Sequence, residues 1–190
     1  MTNTETRPTE FPLLPLRSGV LFPGTTMSRP VGRPRSVKLI EDVSVGDIIG
    51  VAVQRDPKTD DPGVADLHDV GTLARVRKIH QARDGQTYRV TLEGVARFEI
   101  SQLSTSEPYW RAEGRASEET GHDSDEAQVL FEELRHALRP LAQSSNEALR
   151  EILSEADEPG TFADRIASGL DVDRDREVQV LLTLDVPARL

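Results

Sequence analysis

VGTLARVRKIHQARDGQTYRVTL, residues 70–92, is the stretch whose reading decides the fold. Val70, Thr72, Ala74 and Val76 recur at every second position, and a pleated strand places such residues on one face. Asp84-Gly85 then separates this run from Tyr88-Arg-Val-Thr-Leu92. An Asp-Gly pair between alternating segments signals a hairpin, because its turn needs residues that accept a positive φ. Working outward, residues 96–103 and 109–115 read as further strands, Ile48-Ile-Gly-Val-Ala-Val53 as a buried one, and Phe11, Leu13, Leu14 and Leu16 as the start of the β-rich region. Residues 35–43 form a short helix with Val37, Leu39 and Ile40 inward, closed by Gly46. The whole of residues 11–116 predicts a twisted, mostly antiparallel sheet that curls or closes to protect its edges.

Two irregular stretches interrupt it. Ser18-Gly-Val-Leu-Phe-Pro-Gly24 holds two glycines and a proline, so it bends, and its Leu21 and Phe22 need a hydrophobic cover. Residues 54–67, QRDPKTDDPGVADL, have the proline, glycine and aspartate content of an exposed loop. The second half changes period. Ala127, Leu130, Phe131, Leu134, Leu138 and Leu141 recur at three- and four-residue steps, the spacing of one helix face, with acidic residues at its N-terminal end and Pro140 marking a kink or an end. Leu149, Ile152 and Leu153 mark a second helix. A third is capped by Thr161, buries Phe162, Ile166 and Ala167 and stops at Gly169, and a fourth runs from Asp175 through Leu182. Short amphipathic helices are stable only when packed together, as a bundle. The organisation is therefore α+β, with a disordered leader at 1–10, a β-rich subdomain at 11–116, a linker at 117–122 and a helical bundle at 123–190.

Charge divides the chain in the same place. Residues 1–115 carry 16 basic and 15 acidic side chains, whereas residues 116–190 carry 7 and 18, within a net charge of −10. That balance makes nucleic acid an unlikely partner, since such binding needs Lys and Arg to displace counterions from phosphates. No run approaches the ~18 apolar residues of a spanning helix. The polar start MTNTETRPTE lacks a signal peptide's pattern, so the expected location is cytoplasmic. There is no cysteine, which removes disulfides, thiolate nucleophiles and Cys-based zinc sites together.

A search for chemistry is mostly negative. None of the three lysines, Lys38, Lys58 and Lys78, follows a phosphate-cradling glycine loop. His68, His80, His122 and His136 lack the paired spacing of a zinc peptidase. The string Asp171, Asp173, Asp175 and Glu177 resembles the opening of a calcium loop, but Arg176 stands where the turn needs glycine and Leu182 where the bidentate glutamate belongs, so helix capping by Asp173 fits better. The expectation is a chain with no catalytic, cofactor or metal residues of its own. Apolar material near loops remains, namely Leu21, Phe22, Pro23, Met27 and Pro30, with Tyr109 and Trp110. Such side chains are either satellite core or a contact surface for peptides and partners. The five from Leu21 to Pro30 are the candidate substrate-contacting residues.

Four segments then occur in an order that resembles one family. FPLLPLRSGVLFPGTTMSRPVGRPRSVKLIED (11–42) is similar to the opening of the Lon protease N-terminal domain, with its PLLPLR-x-x-V-x-FPG start and VGR-x-x-S helix start. DLHDVGTLARVRKI (66–79) resembles its L-x-x-VGT-x-A-x-I strand, and DGQTYRVTLEGVARFEI (84–100) its DG-x-x-x-V-x-x-EG-x-x-R hairpin. PGTFADRIASGLDVDRDREVQVLLTLDVPARL (159–190) resembles the stretch ending LL-x-x-x-D-x-x-x-RL. The resemblance implies a PUA-like pseudo-barrel followed by a small helical bundle. It also implies a non-catalytic region that recognises unfolded or degradation-tagged proteins and helps organise a homohexamer with other Lon subunits. The ATPase, with its ATP and Mg, and the Ser-Lys peptidase lie in modules beyond residue 190 of such a protein. The alternative is a stand-alone Lon-domain protein acting as a binding module or adaptor.

Overall fold

The computed structural model describes residues 9–105, 107–143, 147–155, 158–170 and 172–190. The chain divides into two compact units, Met1–Ser117 and Glu118–Leu190.

The first unit holds six strands and one helix: β1 (Thr9–Leu16), β2 (Thr26–Val31), α1 (Pro34–Asp42), β3 (Ile48–Val53), β4 (Val70–Gln81), β5 (Tyr88–Thr105) and β6 (Arg111–Ala116). The sheet order is β2-β5-β4-β3-β1-β6, and a further β5–β6 pairing closes β1, β3, β4, β5 and β6 into a ring. All pairings are antiparallel except β1 with β3. The predicted hairpin is present. Gly85 takes φ +68°, Gln81 faces Tyr88, and Asp84 accepts hydrogen bonds from the backbone N–H groups of Gln86 and Thr87 and from the Thr87 hydroxyl. The two strands expected at 88–92 and 96–103 are one continuous 18-residue strand. Register shifts on both of its flanks bend it, and this lets one strand serve two neighbours along the same edge. Its first part pairs with β2 and its last part with β6.

β1 and β3 are covered on both faces, which is why they read as nearly unbroken apolar runs. Leu14, Leu16, Ile49 and Val51 join Leu39 and Ile40 of α1 in one cluster, while Leu13 and Ala52 join Leu67, Phe98 and Trp110 in another. Phe98 is fully buried. Its ring fits only because three strands offer glycine there: a Cβ on Gly50, Gly71 or Gly114 would stand 2.8–2.9 Å from a ring atom.

Residues 54–67 are irregular, as expected, but they pack down. Leu67 and Gln54 are buried, Val64–Asp66 form a 3-10 turn, Asp60 pairs with Arg17, and Asp61 lies 2.6 Å from Arg35. Gly46 does not close α1. It takes φ +102° in a turn past the helix, in which Asp47 N–H donates to the Ser44 carbonyl.

The second unit holds α2 (Asp125–Gln143), α3 (Glu147–Glu155), α4 (Pro159–Gly169), α5 (Arg174–Leu182) and α6 (Val186–Arg189). Phe131 and Phe162 meet edge to face at 5.1 Å in its core, with Leu138 and Leu149 around them. Asp173 caps α5 by accepting from Arg176 N–H at 3.0 Å; Asp171 lies outside the described residues. Two local expectations are corrected and one element is new. Pro140 sits inside α2, which runs on to Gln143, and Leu141 is exposed while Ala142 is buried. α4 begins at Pro159, whose fixed φ suits a first turn, so Thr161 is inside the helix and does not cap it. α6 was not foreseen, being a single turn capped by Asp185. Within the stretch expected as a linker, Thr120 bridges to Asp185, and Glu119 lies 2.7 Å from the wholly buried Arg189 side chain. Asp164, also buried, stands 3.7 Å from the same guanidinium. No helix among the described residues is long and apolar enough to cross a membrane.

Candidate functional site

The ring of strands has one unzipped place. β1 pairs with β6 through Thr9, Glu10, Phe11 and Pro12 only, and β2 pairs with β5 alone. The second half of β1 and the whole of β2 therefore each keep an unpaired edge. Between them lies a cleft of about 540 Å³, walled by Leu14, Leu16 and Arg17 on one side and Arg29, Pro30 and Arg33 on the other. Gly32, Pro34 and Ser36, at the start of α1, close its end.

Two prolines keep this seam open. Leu13 N–H donates toward β6, to the Trp110 carbonyl, and the Leu16 carbonyl accepts from Gln54, so alternation turns the nitrogen of Pro15 toward the seam. On β2, the Thr25 carbonyl accepts from Gly94 N–H, and the same alternation makes Arg29 a hydrogen-bonded partner of Val90 while turning Pro30 outward. Neither proline has an N–H to offer, so direct zipping of the two edges is denied at both positions. Proline on a strand edge is a common device against further pairing.

The five sequence candidates separate here. Leu21 and Phe22 are 1% and 0% exposed, which corrects the expectation that they form a contact surface: they are core. The chain between β1 and β2 is tied down over β5. Gly24 N–H donates to the Gly94 carbonyl at 3.0 Å, Gly94 N–H to the Thr25 carbonyl at 2.9 Å, and the buried Thr72 hydroxyl to the Leu21 carbonyl at 2.5 Å. The approach is so close that a Cβ on Gly94 would stand 2.1 Å from the Phe22 carbonyl oxygen. Pro23 is half-buried beside the same glycine. Residues 26–31 are a strand and not part of a loop, and they alternate: Thr26, Ser28 and Pro30 face solvent, while Met27 and Arg29 are half-buried. Of the five, only Pro30 lines the cleft. Tyr109 and Trp110 are buried.

Sequence reasoning missed the arginines. Arg17, Arg29 and Arg33 line the cleft, and among the described residues no acidic side chain does. Arg17 is neutralised by Asp60 from the 54–67 segment, and Arg33 reaches the Thr59 carbonyl at 3.3 Å. Just outside, Arg35 binds Asp61 and Glu107 and lies 4.9 Å over the Trp110 ring. Burial first, and then the like charge of Arg17, hold the Arg33 guanidinium below the usual arginine range, with Asp60 and Asp61 pulling the other way. The signal was available as a local excess. Residues 17–35 contain four arginines and no acidic residue.

Residues 10–190 match the family model of the ATP-dependent protease La (LON) substrate-binding domain. The chain belongs to that family. It is 49% identical over 181 residues to Lon protease 4 of Sorangium cellulosum, covering 95% of this chain and 22% of that protein. It is 37% identical over 198 residues to a Lon protease of Anaeromyxobacter dehalogenans, covering all of this chain and 23% of that one. The chain thus spans about a fifth of the length of the curated relatives it matches. In fold it is similar to the N-terminal domain of the Mycobacterium avium complex Lon protease, at TM-score 0.74 and 18% identity over 95% of this chain and 94% of that one. The Lon N-terminal domain protein from Xanthomonas campestris superposes at TM-score 0.61 with 21% identity, over 95% and 94%. The α+β class, with a PUA-like barrel preceding helices, is that of a Lon N-terminal substrate-binding domain.

Proposed function

We propose that the seam between β1 and β2 takes short stretches of unfolded or degradation-tagged polypeptide on behalf of an ATP-dependent Lon protease. The observation that carries this reading is the unzipped seam itself: two unpaired strand edges with the exposed prolines Pro30 and Pro34 along the cleft, on a chain of the substrate-binding family. A receptor for many sequences needs shallow apolar surface more than a fixed set of hydrogen bonds. Proline-capped edges serve that need, because they admit side chains into the cleft without inviting permanent strand addition. The chain's part is binding and not hydrolysis. In this reading the protease is a cytoplasmic serine-type homohexamer that removes misfolded and regulatory proteins. This region helps organise the hexamer, and ATP and Mg act in modules distinct from it.

The test is a heteronuclear NMR titration of the 190-residue chain with an unfolded protein and with the same protein folded. Shifts confined to the unfolded titrant and centred on residues 14–18 and 26–36 are the expected result. Shifts confined to residues 118–190, or none with either titrant, would sink the reading.

A further inference from the structure

The cleft is lined by more positive charge than its surroundings neutralise. Arg17 has Asp60, and Arg35 has Asp61 and Glu107. Arg29 Nε and Arg33 Nη1, by contrast, are shielded from solvent and meet no hydrogen-bond partner among the described residues. Neither Arg29 nor Arg33 has an ion pair among the described residues, so the cleft wall holds two cations whose charge no carboxylate of the protein has taken up. The backbone makes room for this arrangement. Gly19 takes φ +71°, and a Cβ there would stand 2.1 Å from an Arg29 terminal nitrogen, so the guanidinium lies where any other residue would displace it.

We infer that the seam prefers polypeptide stretches in which an aspartate or glutamate neighbours an apolar side chain, the carboxylate seating on Arg29 and Arg33 and the apolar group on the exposed rings of Pro30 and Pro34. This deepens the proposed function and rests on it. A guanidinium fork matches a carboxylate with two parallel hydrogen bonds, stronger than those between neutral groups. The exposed prolines argue for a peptide over a free inorganic anion, which would gain nothing from Pro30 or Pro34. Long-range attraction does not supply the preference. Residues 1–115 are nearly neutral and the chain as a whole carries −10, so selection must come from contact at the two guanidinium groups. Burial and the neighbouring Arg17 charge disfavour the Arg33 cation, and the opposite charge of a carboxylate beside it offsets both.

The experiment is calorimetric titration of the 190-residue chain with two unstructured peptides, one carrying apolar residues flanked by Asp and Glu and the other with Asn and Gln in their place. The acidic peptide is expected to bind about 10- to 100-fold more tightly, as two charge-assisted bonds allow. Arg29→Gln with Arg33→Gln should erase that difference, so that within the variant the acidic and the amide peptide bind equally. Arg29→Lys, which keeps the charge and loses the fork, should retain only part of it and guards against misfolding of the double variant. Equal affinity for the two peptides overturns the inference while leaving the proposed function standing; binding of neither overturns both. Inorganic phosphate that competes as strongly as the acidic peptide, with no benefit from the apolar residues, would show a simple anion site and overturn the peptide preference.

Discussion

Leu21-Phe22 and Met27-Ser-Arg-Pro30 lie within ten residues of each other and both offer apolar side chains among prolines and glycines, yet they have opposite fates. The first pair is sealed in the core under a backbone contact with Gly94, whereas the second stretch is the open edge of the sheet. The difference comes from partners distant in sequence. Thr72 and Gly94 hold the first stretch down, and β5 takes one edge of the second and leaves the other free. Local apolarity therefore says that a segment wants cover, and only its neighbours decide whether it gets any.

The largest expected effect separates the two stretches by stability. Phe22→Ala should destabilise the chain by about 3–5 kcal/mol, the cost of truncating a fully buried aromatic, seen as a large drop in the urea midpoint. A loss below ~1 kcal/mol would place Phe22 with the edge and undo the contrast. Gly94→Ala is expected to cost about 1–3 kcal/mol, because its methyl group meets a carbonyl oxygen and not the end of a flexible side chain. Its amide spectrum should change most at residues 20–26, where the backbone must move. Pro30→Thr should alter stability by less than about 0.5 kcal/mol, since the position is exposed, yet it restores a donor to the open edge. Light scattering is expected to show more self-association in that variant; an unchanged monomer would mean that Pro30 is not what guards the seam.

The smallest effect concerns the hairpin that sets the register of β5 against β4. Three hydrogen bonds hold the Asp84 carboxyl below the ordinary aspartate range, first those from the Gln86 and Thr87 N–H groups and then that from the Thr87 hydroxyl. Its folded value is depressed, so its contribution to stability is present above the unfolded value of about 3.9 and disappears as pH falls through the folded value. Asp84→Asn should remove this part of the acid sensitivity without moving the edge. A side-chain carbon titration of Asp84 with a midpoint at or above the unfolded value would contradict it.

Much of this was legible in the sequence. The hairpin at Asp84-Gly85, the strand at 48–53, the change of period after residue 116 and the cap at Asp173 all follow from rules acting over a few residues, and all appear in the structure. The four-segment resemblance carried the family as well. The site was less legible. Pro30 was picked out as an apolar residue, but its role on the seam depends on which way its nitrogen points across a pairing with Arg89, nearly sixty residues later in the chain. The four arginines within 17–35 were visible as a charge excess, but the sequence could not tell that Asp60 and Asp61 would satisfy Arg17 and Arg35 and leave donors of Arg29 and Arg33 without partners.

The sequence alone settled what most segments are, because backbone periodicity, turn chemistry and capping are decided by residues a few positions apart; the strand at 26–31 and the single turn of α6 needed the structure. The tertiary structure decided which apolar residues are core, which strand edge stays open and which charges stay unpaired. These outcomes depend on the closure of one long bent strand onto neighbours far away along the chain, and on two prolines that stop that closure one seam short.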